Sequence, residues 1–265
     1  MSLTFTILGC GSSMGVPRVA LGWGECDPNN PKNRRRRCSI MVERANGHHR
    51  TRVLVDCSPD LREQLLDAKV DWVDGVLITH EHADHTHGID DLRPLYVHKR
   101  HRVPVYMDEA TSRAMLSRFG YCFMKRPGSD YPPIAADHRL VPGHAVTIEG
   151  QGGPIEALPV LQEHGDIPSL GFRFGNVAYS CDIKNLPPES IAALAGLDVW
   201  IVDALRRTPH PSHLTVDEAL AWIARIKPKR AILTNLHTDL DYETLRTSLP
   251  PNIEPAYDRM SFTAA

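Results

Sequence analysis

The chain has no strong charge bias: 30 Lys and Arg against 32 Asp and Glu leave a formal net charge of -2, so the overall balance demands no polyanionic partner. It also lacks an apolar run long enough to span a membrane. Its short apolar opening, Met1 to Gly11, has neither the basic residues nor the small-residue cleavage site of a secretory leader. A cytoplasmic location is the default expectation. The six cysteines, Cys10, Cys26, Cys38, Cys57, Cys122 and Cys181, show no paired spacing, which argues against a disulfide framework. No segment repeats at a fixed period. What is there is ordinary globular material, 42% hydrophobic and 23% charged over 265 residues, and the expectation is one domain spanning residues 1–265.

Short hydrophobic runs bounded by turn residues read as an α/β chain. Leu3 to Leu8 reads as a buried strand, followed by a Gly-, Pro- and Arg-rich loop to Cys38. Ser39 to Glu43 and Arg52 to Val55 read as strands paired around Asn46-Gly47, Pro59 to Ala68 as a helix, and Val73 to Thr79 as a strand. A strand over Val103 to Met107 and a helix over Glu109 to Phe119 precede a Pro/Gly-rich excursion, Pro127 to Pro133, that reads as a lid. Strands follow at Ile155 to Leu161, Leu170 to Phe174 and Val177 to Ser180, then a helix over Pro187 to Ala195 and a strand over Asp198 to Val202. A helix over Val216 to Ile226 and a strand over Ala231 to Thr234 close the series. Two β-rich halves with helices between them predict two packed sheets flanked by helices, a four-layer αββα sandwich.

Fourteen histidines are present, and four metal-ligand side chains crowd the strand end at Thr79-His80-Glu81-His82-Ala83-Asp84-His85. Three imidazoles and a carboxylate are more than one small ion takes from a single segment, so two ions are implied. In an extended segment His80 and His82 project to one side, while Asp84 and His85 lie past the bend. Completion of two coordination shells needs ligands from later strand ends, and His164, Asp182 and His237 each stand at such a junction.

With this pattern the chain resembles the metallo-β-lactamase superfamily, whose His-x-His-x-Asp-His signature is matched by His80, His82, Asp84 and His85. The resemblance implies that His80, His82 and His164 hold a first ion and Asp84, His85 and His237 a second, with Asp182 bridging. Ligands of mixed nitrogen and oxygen favour Zn²⁺ as first expectation, with Mn²⁺ or Fe²⁺ open. Leu8-Gly9-Cys10-Gly11-Ser12, Gly88-Ile89-Asp90-Asp91-Leu92-Arg93 and the stretch from His164-Gly165 to Asp182 resemble the phosphodiesterase branch that contains tRNase Z and PhnP. On that resemblance His164 is preferred to His144 of Pro142-Gly143-His144. His213, in Pro211-Ser212-His213-Leu214-Thr215, resembles the additional histidine that such phosphodiesterases place near the scissile phosphate, to contact it or protonate the leaving group. Its bland alternative is helix capping. The clustered cysteines that hold a structural zinc in PhnP have no counterpart pattern, since only Cys26 and Cys38 lie in the early loop. No long exosite arm for tRNA is visible either.

The expected activity is metal-assisted hydrolysis of a small phosphodiester, such as a cyclic phosphate of a nucleotide or ribose, with Asp84 and His213 in catalytic roles. A small phosphodiester or nucleotide is the expected partner, with no long nucleic acid and a homodimer as an option. Thioester or lactone hydrolysis on the same fold is the alternative, and a redox centre or a nucleotide-binding site without turnover is the third reading. Arg34 to Arg37 reads as solvated surface or a phosphate-steering patch, and Trp23 as loop packing or a base-stacking ring. Cys57 and Cys181 read as small buried residues, and His48, His49, His87, His98, His101, His138 and His210 have no partner pattern.

Overall fold

The structure is a computed structural model that describes residues 2–264. The first seven-stranded sheet holds β1 (Leu3–Gly9), β2 (Ser39–Asn46), β3 (His49–Val55), β4 (Gly75–Leu77), β5 (Val103–Met107) and β6 (Ala135–Arg139). The second holds β7 (Val146–Ile148), β8 (Ile155–His164), β9 (Ile167–Phe174), β10 (Val177–Ser180), β11 (Val199–Asp203), β12 (Arg230–Thr234) and β13 (Ile253–Pro255). The last strand, β14 (Ser261–Ala264), returns to the first sheet and pairs antiparallel with β1. The spatial orders are β14-β1-β2-β3-β4-β5-β6 and β13-β12-β11-β10-β9-β8-β7.

Strands buried on both faces explain the near-continuous apolar runs. Successive side chains point to opposite faces, so one strand feeds two cores. Phe5 and Ile7 of β1, Ile40 and Val42 of β2, and Val53 and Val55 of β3 enter the layer between the sheets. Leu8, Met41 and Leu54 enter the layer beneath the first helices. Those helices are α1 (Leu61–Asp67), α3 (Arg93–Lys99) and α4 (Glu109–Phe123), with the single turn α2 (Ala83–Thr86) lying between α1 and α3 in the chain. A third core packs the outer face of the second sheet against α5 (Pro188–Ala193), α6 (Val216–Ile226) and α7 (Tyr242–Ser248). Helix, sheet, sheet, helix is the αββα sandwich that the element order predicts.

Helix ends follow their capping chemistry. The Thr215 hydroxyl accepts from Glu218 N at 3.1 Å while the Glu218 carboxylate accepts from Thr215 N at 2.8 Å, and α6 buries Val216, Ala219, Ile223 and Ile226. Helix α4 continues four residues beyond its sequence-read end at Phe119, where φ -126° and ψ 29° mark a kink. The excursion at Pro127 to Pro133 is no lid over the histidine cluster: Ser129, Tyr131 and Pro132 line a separate cavity with Arg93 and Tyr121. Among the described residues no helix is long and apolar enough to cross a membrane.

Candidate metal centre

The parallel strands β10, β11 and β12 all end at one edge of the second sheet, and β4 ends opposite them in the first. Strand ends gathered in this way give loops a common cleft. His80 follows β4, His164 is the last residue of β8, Asp182 follows β10, and Asn235 and His237 follow β12. Asp182 (φ +52°) and Asn235 (φ +64°) take the left-handed conformation, which Asp and Asn tolerate better than other side chains. The chain turns after His164 through Gly165, at φ +61°, where a Cβ would meet the Cβ of Ser212 at 2.8 Å.

Four ligand atoms converge at the centre. His80 Nε2 lies 2.9 Å from His82 Nδ1 and 3.6 Å from Asp182 Oδ2. His164 Nε2 lies 3.4 Å from His82 Nδ1 and 3.5 Å from Asp182 Oδ2. Ligands about 2.0–2.1 Å from a tetrahedral Zn²⁺ stand roughly 3.3 Å from one another, so the spacing fits one small cation. The other ring nitrogens are engaged: His164 Nδ1 donates to the Ser212 carbonyl at 2.8 Å, and His80 Nδ1 donates to Thr79 Oγ1 at 3.0 Å. Such partners fix which nitrogen is left for a metal. Burial pushes both His80 and His164 below the ordinary imidazole value, so they are neutral, as ligands must be.

A second cluster lies alongside, in which His85, Cys181 and Asp182 offer converging atoms and Asp84 stands next to His85. His85 Nδ1 is bonded to Asp56 Oδ2 at 2.7 Å, which turns Nε2 toward Asp84 Oδ2 and Asp182 Oδ1, each 3.3 Å away. Buried Nε2 has no hydrogen-bond partner, and three electron-rich atoms facing one another call for a positive charge between them. Without a cation the imidazole takes a second proton: burial opposes this, but Asp182, Asp84 and Asp56 raise His85 well above its usual value. Asp182 serves both clusters, Oδ2 facing the first and Oδ1 the second. Burial would raise its carboxyl, yet the charges of His85 and His213 hold it well below the usual range. His237 lines the same cavity of about 370 Å³, with Nδ1 2.9 Å from Asp239 Oδ1, but stands outside both sets of converging atoms.

His213 joins the site as well. Its ring packs 4.7 Å from His164, Nε2 lies 3.7 Å from Asp182 Oδ2, and Nδ1 lies 2.8 Å from Asp203 Oδ2. It does not cap α6, whose N-cap is Thr215.

Residues 51–235 match the family model of the β-lactamase superfamily domain. The chain belongs to the metallo-β-lactamase superfamily. A crystal structure of a new diphosphatase from the PhnP family is 35% identical and superposes with a TM-score of 0.89, covering 100% of this chain and 98% of that one. Human tRNase Z, short form, shares the fold at 17% identity and a TM-score of 0.60, with 98% of each chain covered. The octanoyltransferase of Porphyromonas gingivalis (strain ATCC BAA-308 / W83) is 34% identical over 257 residues. That match takes 95% of this chain but 50% of the relative, so the chain spans half the length of that protein.

In this metallo-β-lactamase fold the seven sequence-read ligands and His213 reach one cleft, with His237 at its rim. His144 does not: it is exposed, its Nδ1 3.2 Å from the Pro142 carbonyl. The Arg34 to Arg37 run is not solvated surface as a whole. Arg34 alone is exposed; Arg36 pairs with Asp67 and Arg37 with Asp60. Arg35 is buried and donates to the carbonyls of His237 at 3.2 Å and Leu240 at 2.7 Å. Cys26 and Cys38 are buried apart, facing the Thr238 and Gly11 carbonyls, and neither stands in a candidate metal cluster among the described residues. Trp23 is half-buried outside the cavity lining. Cys181 is buried, its thiol pushed well up by burial and 3.0 Å from Asp182 Oδ1, so it donates to that carboxylate as a neutral group.

Sequence reasoning missed His210, Asp56, Asp203 and Asn235. His210 packs 4.9 Å from His213 and lines the cavity. Asp56 and Asp203 end strands in the same way as the ligands; that shared position is the one signal the sequence offers for them.

Proposed function

We propose that the cleft hydrolyses a phosphorus–oxygen bond of a small phosphodiester or diphosphate, with two divalent cations as cofactors. The observation that carries this reading is the convergence of His80, His82, His164 and Asp182 beside a second cluster, with His213 against it. In this reading His80, His82 and His164 would hold one cation and Asp84 and His85 the other, with Asp182 between the two sets; His237, outside the converging atoms, would have to turn inward to join the second. The cations would supply Lewis acidity at the phosphoryl oxygens and a lowered pKa for the attacking water. Zn²⁺ is the first choice for such a donor set, with Mn²⁺ or Fe²⁺ as substitutes.

The protein's own groups do the rest. Asp84, half-buried with Oδ2 3.3 Å from His85 Nε2, orients the water. His213, fixed through Nδ1 by Asp203, presents Nε2 to the departing oxygen as proton donor or phosphate contact. A cavity of about 370 Å³ suits a nucleotide-sized substrate. The 35% identical relative, a diphosphatase, supports including diphosphates beside phosphodiesters. Both sheets contribute to the cleft, which supports reading residues 1–265 as one unit, and six free cysteines suit a cytoplasmic chain.

The octanoyltransferase relative favours a second reading, acyl chemistry such as thioester or lactone hydrolysis. All six cysteines are buried, so no exposed thiol is available to carry an acyl group, and that reading too falls to the histidine cleft. Side-by-side assays with bis(p-nitrophenyl) phosphate, a 2′,3′-cyclic nucleotide, a lactone and S-lactoylglutathione decide between them. Hydrolysis of the phosphates, lost in His82→Ala, is the expected result; exclusive thioester cleavage, or a His82→Ala protein as active as its parent, overturns the proposal.

A further inference from the structure

Two guanidinium groups face the same cleft without carboxylate partners. Arg18 sits on the early loop, where Arg18 N donates to the Gly22 carbonyl and Gly22 N to the Arg18 carbonyl, both at 2.8 Å. Loop and scaffold are tied together: Val16 and Arg35 exchange backbone bonds of 2.8 Å, and Leu236 N donates to the Cys10 carbonyl at 2.8 Å. Arg206 follows β11, its Nε and Nη2 held by the carbonyls of Thr208 at 3.0 Å and Pro209 at 2.6 Å. Both arginines line the cavity with His82, His164 and His213.

Neither makes an ion pair within 4 Å among the described residues. Burial pulls Arg18 below the usual guanidinium value; Asp239 opposes that shift and Arg206 adds to it. The Asp239 carboxylate is already spent on His237 Nδ1 at 2.9 Å and Arg207 N at 3.1 Å. Two polar atoms are also left over: Arg18 Nε and Ser12 Oγ are buried with no hydrogen-bond partner, and Ser12, 2% exposed, lines the cavity. The contrast lies in the cavity of about 430 Å³ around Trp72, where Arg50 pairs with Glu43, and Arg52 with Glu43 and Asp71. A buried donor without a partner is costly, and the repulsion that Arg206 adds at Arg18 would be relieved by an anion bound at the pair.

Resting on the phosphoryl-hydrolase reading, we propose that Arg18, Arg206 and Ser12 form a second anion subsite beside the histidine cluster, selecting substrates whose scissile phosphorus is joined through one oxygen to another phosphate. A diphosphate diester places one phosphate at the cluster and the next at the guanidinium pair. In its hydrolysis the water oxygen bonds to the scissile phosphorus and the P–O bond to the bridging oxygen breaks. The bridging oxygen leaves with the second phosphate and takes one proton; the other water proton stays on the new phosphate or passes to solvent. Nothing is oxidised or reduced.

The test compares the metal-loaded parent with Arg18→Gln and Arg206→Lys, using ADP-ribose and bis(p-nitrophenyl) phosphate as substrates. Arg18→Gln should raise KM for ADP-ribose about tenfold or more, the worth of one charge-assisted contact, and leave kcat/KM for bis(p-nitrophenyl) phosphate within about twofold. Arg206→Lys keeps the charge but loses the fork, so it should fall between the two. Calorimetry adds a readout independent of turnover: the parent should bind α,β-methylene-ADP about tenfold more tightly than AMP, and Arg18→Gln should close most of that gap. Equal proportional losses on both substrates, or an undiminished gap in Arg18→Gln, overturn the subsite. Should the parent cleave neither phosphate, the hydrolase reading fails, while the binding gap still decides the subsite.

Discussion

His213 Nδ1 lies 2.8 Å from Oδ2 of Asp203, a fully buried carboxylate at the last residue of β11. The contact fixes the proton on Nδ1 and turns Nε2 into the cleft. Burial alone would lower the imidazole, yet Asp203 and Asp182 raise it to about 9. Asp203→Asn removes the charge that holds this proton while keeping the side-chain shape. The expected outcome is a loss of about a hundredfold or more in kcat, with parental metal content by elemental analysis. A variant that loses its metal in step with its activity would make Asp203 a structural support of the cleft instead.

A hydroxyl relays between two parts of the centre. Thr79 Oγ1 donates to Asp56 Oδ2 at 3.0 Å and accepts from His80 Nδ1 at 3.0 Å. Thr79→Val keeps the volume but strips both bonds, leaving the His80 ring free to rotate. Metal affinity, measured by chelator competition, should fall about 10- to 100-fold, and Thr79→Ser should recover most of it. An unchanged affinity in Thr79→Val would show that packing alone orients His80.

Arg35 ties the early loop to the segment that carries His237. Its Nη1 donates to the His237 carbonyl at 3.2 Å, and its Nη2 donates to the Leu240 carbonyl at 2.7 Å and Asn33 Oδ1 at 3.2 Å. Arg35→Met should cost about 2–4 kcal/mol in urea unfolding, because buried carbonyls lose their donors. Arg35→Lys should rescue little, since a single ammonium cannot span the three acceptors. A loss below about 0.5 kcal/mol, the range of neutral surface changes, would mean that the fork is replaceable.

The fold was legible because its strands are buried on both faces: runs such as Val199 to Val202 are apolar without interruption and hard to mistake. Edge and closing elements were not. Strands β6, β13 and β14 are short and carry charged or exposed residues, and α7 is a seven-residue helix whose signal rests on the Asp241 cap. Of the cleft, the His80 to His85 cluster was legible because its ligands are contiguous. Asp56 and Asp203 were not, because a lone Asp after an apolar run resembles any strand end. The misreading of Arg35 has a similar cause: a run of like charges says nothing about which member turns inward to meet carbonyls more than 200 residues away.

Asp258 makes stability depend on pH away from the cleft. Its carboxylate accepts from Cys10 N at 3.2 Å and Arg36 N at 2.9 Å, where the C-terminal segment meets the early loop. Burial outweighs those bonds and pushes the group up to about 6. For a carboxyl raised on folding, the stabilising contribution is complete below the unfolded value near 3.8, and it is lost as pH rises through about 6. Between pH 4 and 7 the parent should therefore lose on the order of 1–2 kcal/mol relative to Asp258→Asn, allowing for partial solvent access. The variant is expected to be weaker at acid pH, because an amide offers one acceptor oxygen to three donors, Cys10 N, Cys10 Sγ and Arg36 N, but it carries no such slope. Urea titrations of both proteins across that range measure the difference directly; parallel profiles would place the Asp258 proton affinity near that of an exposed carboxylate.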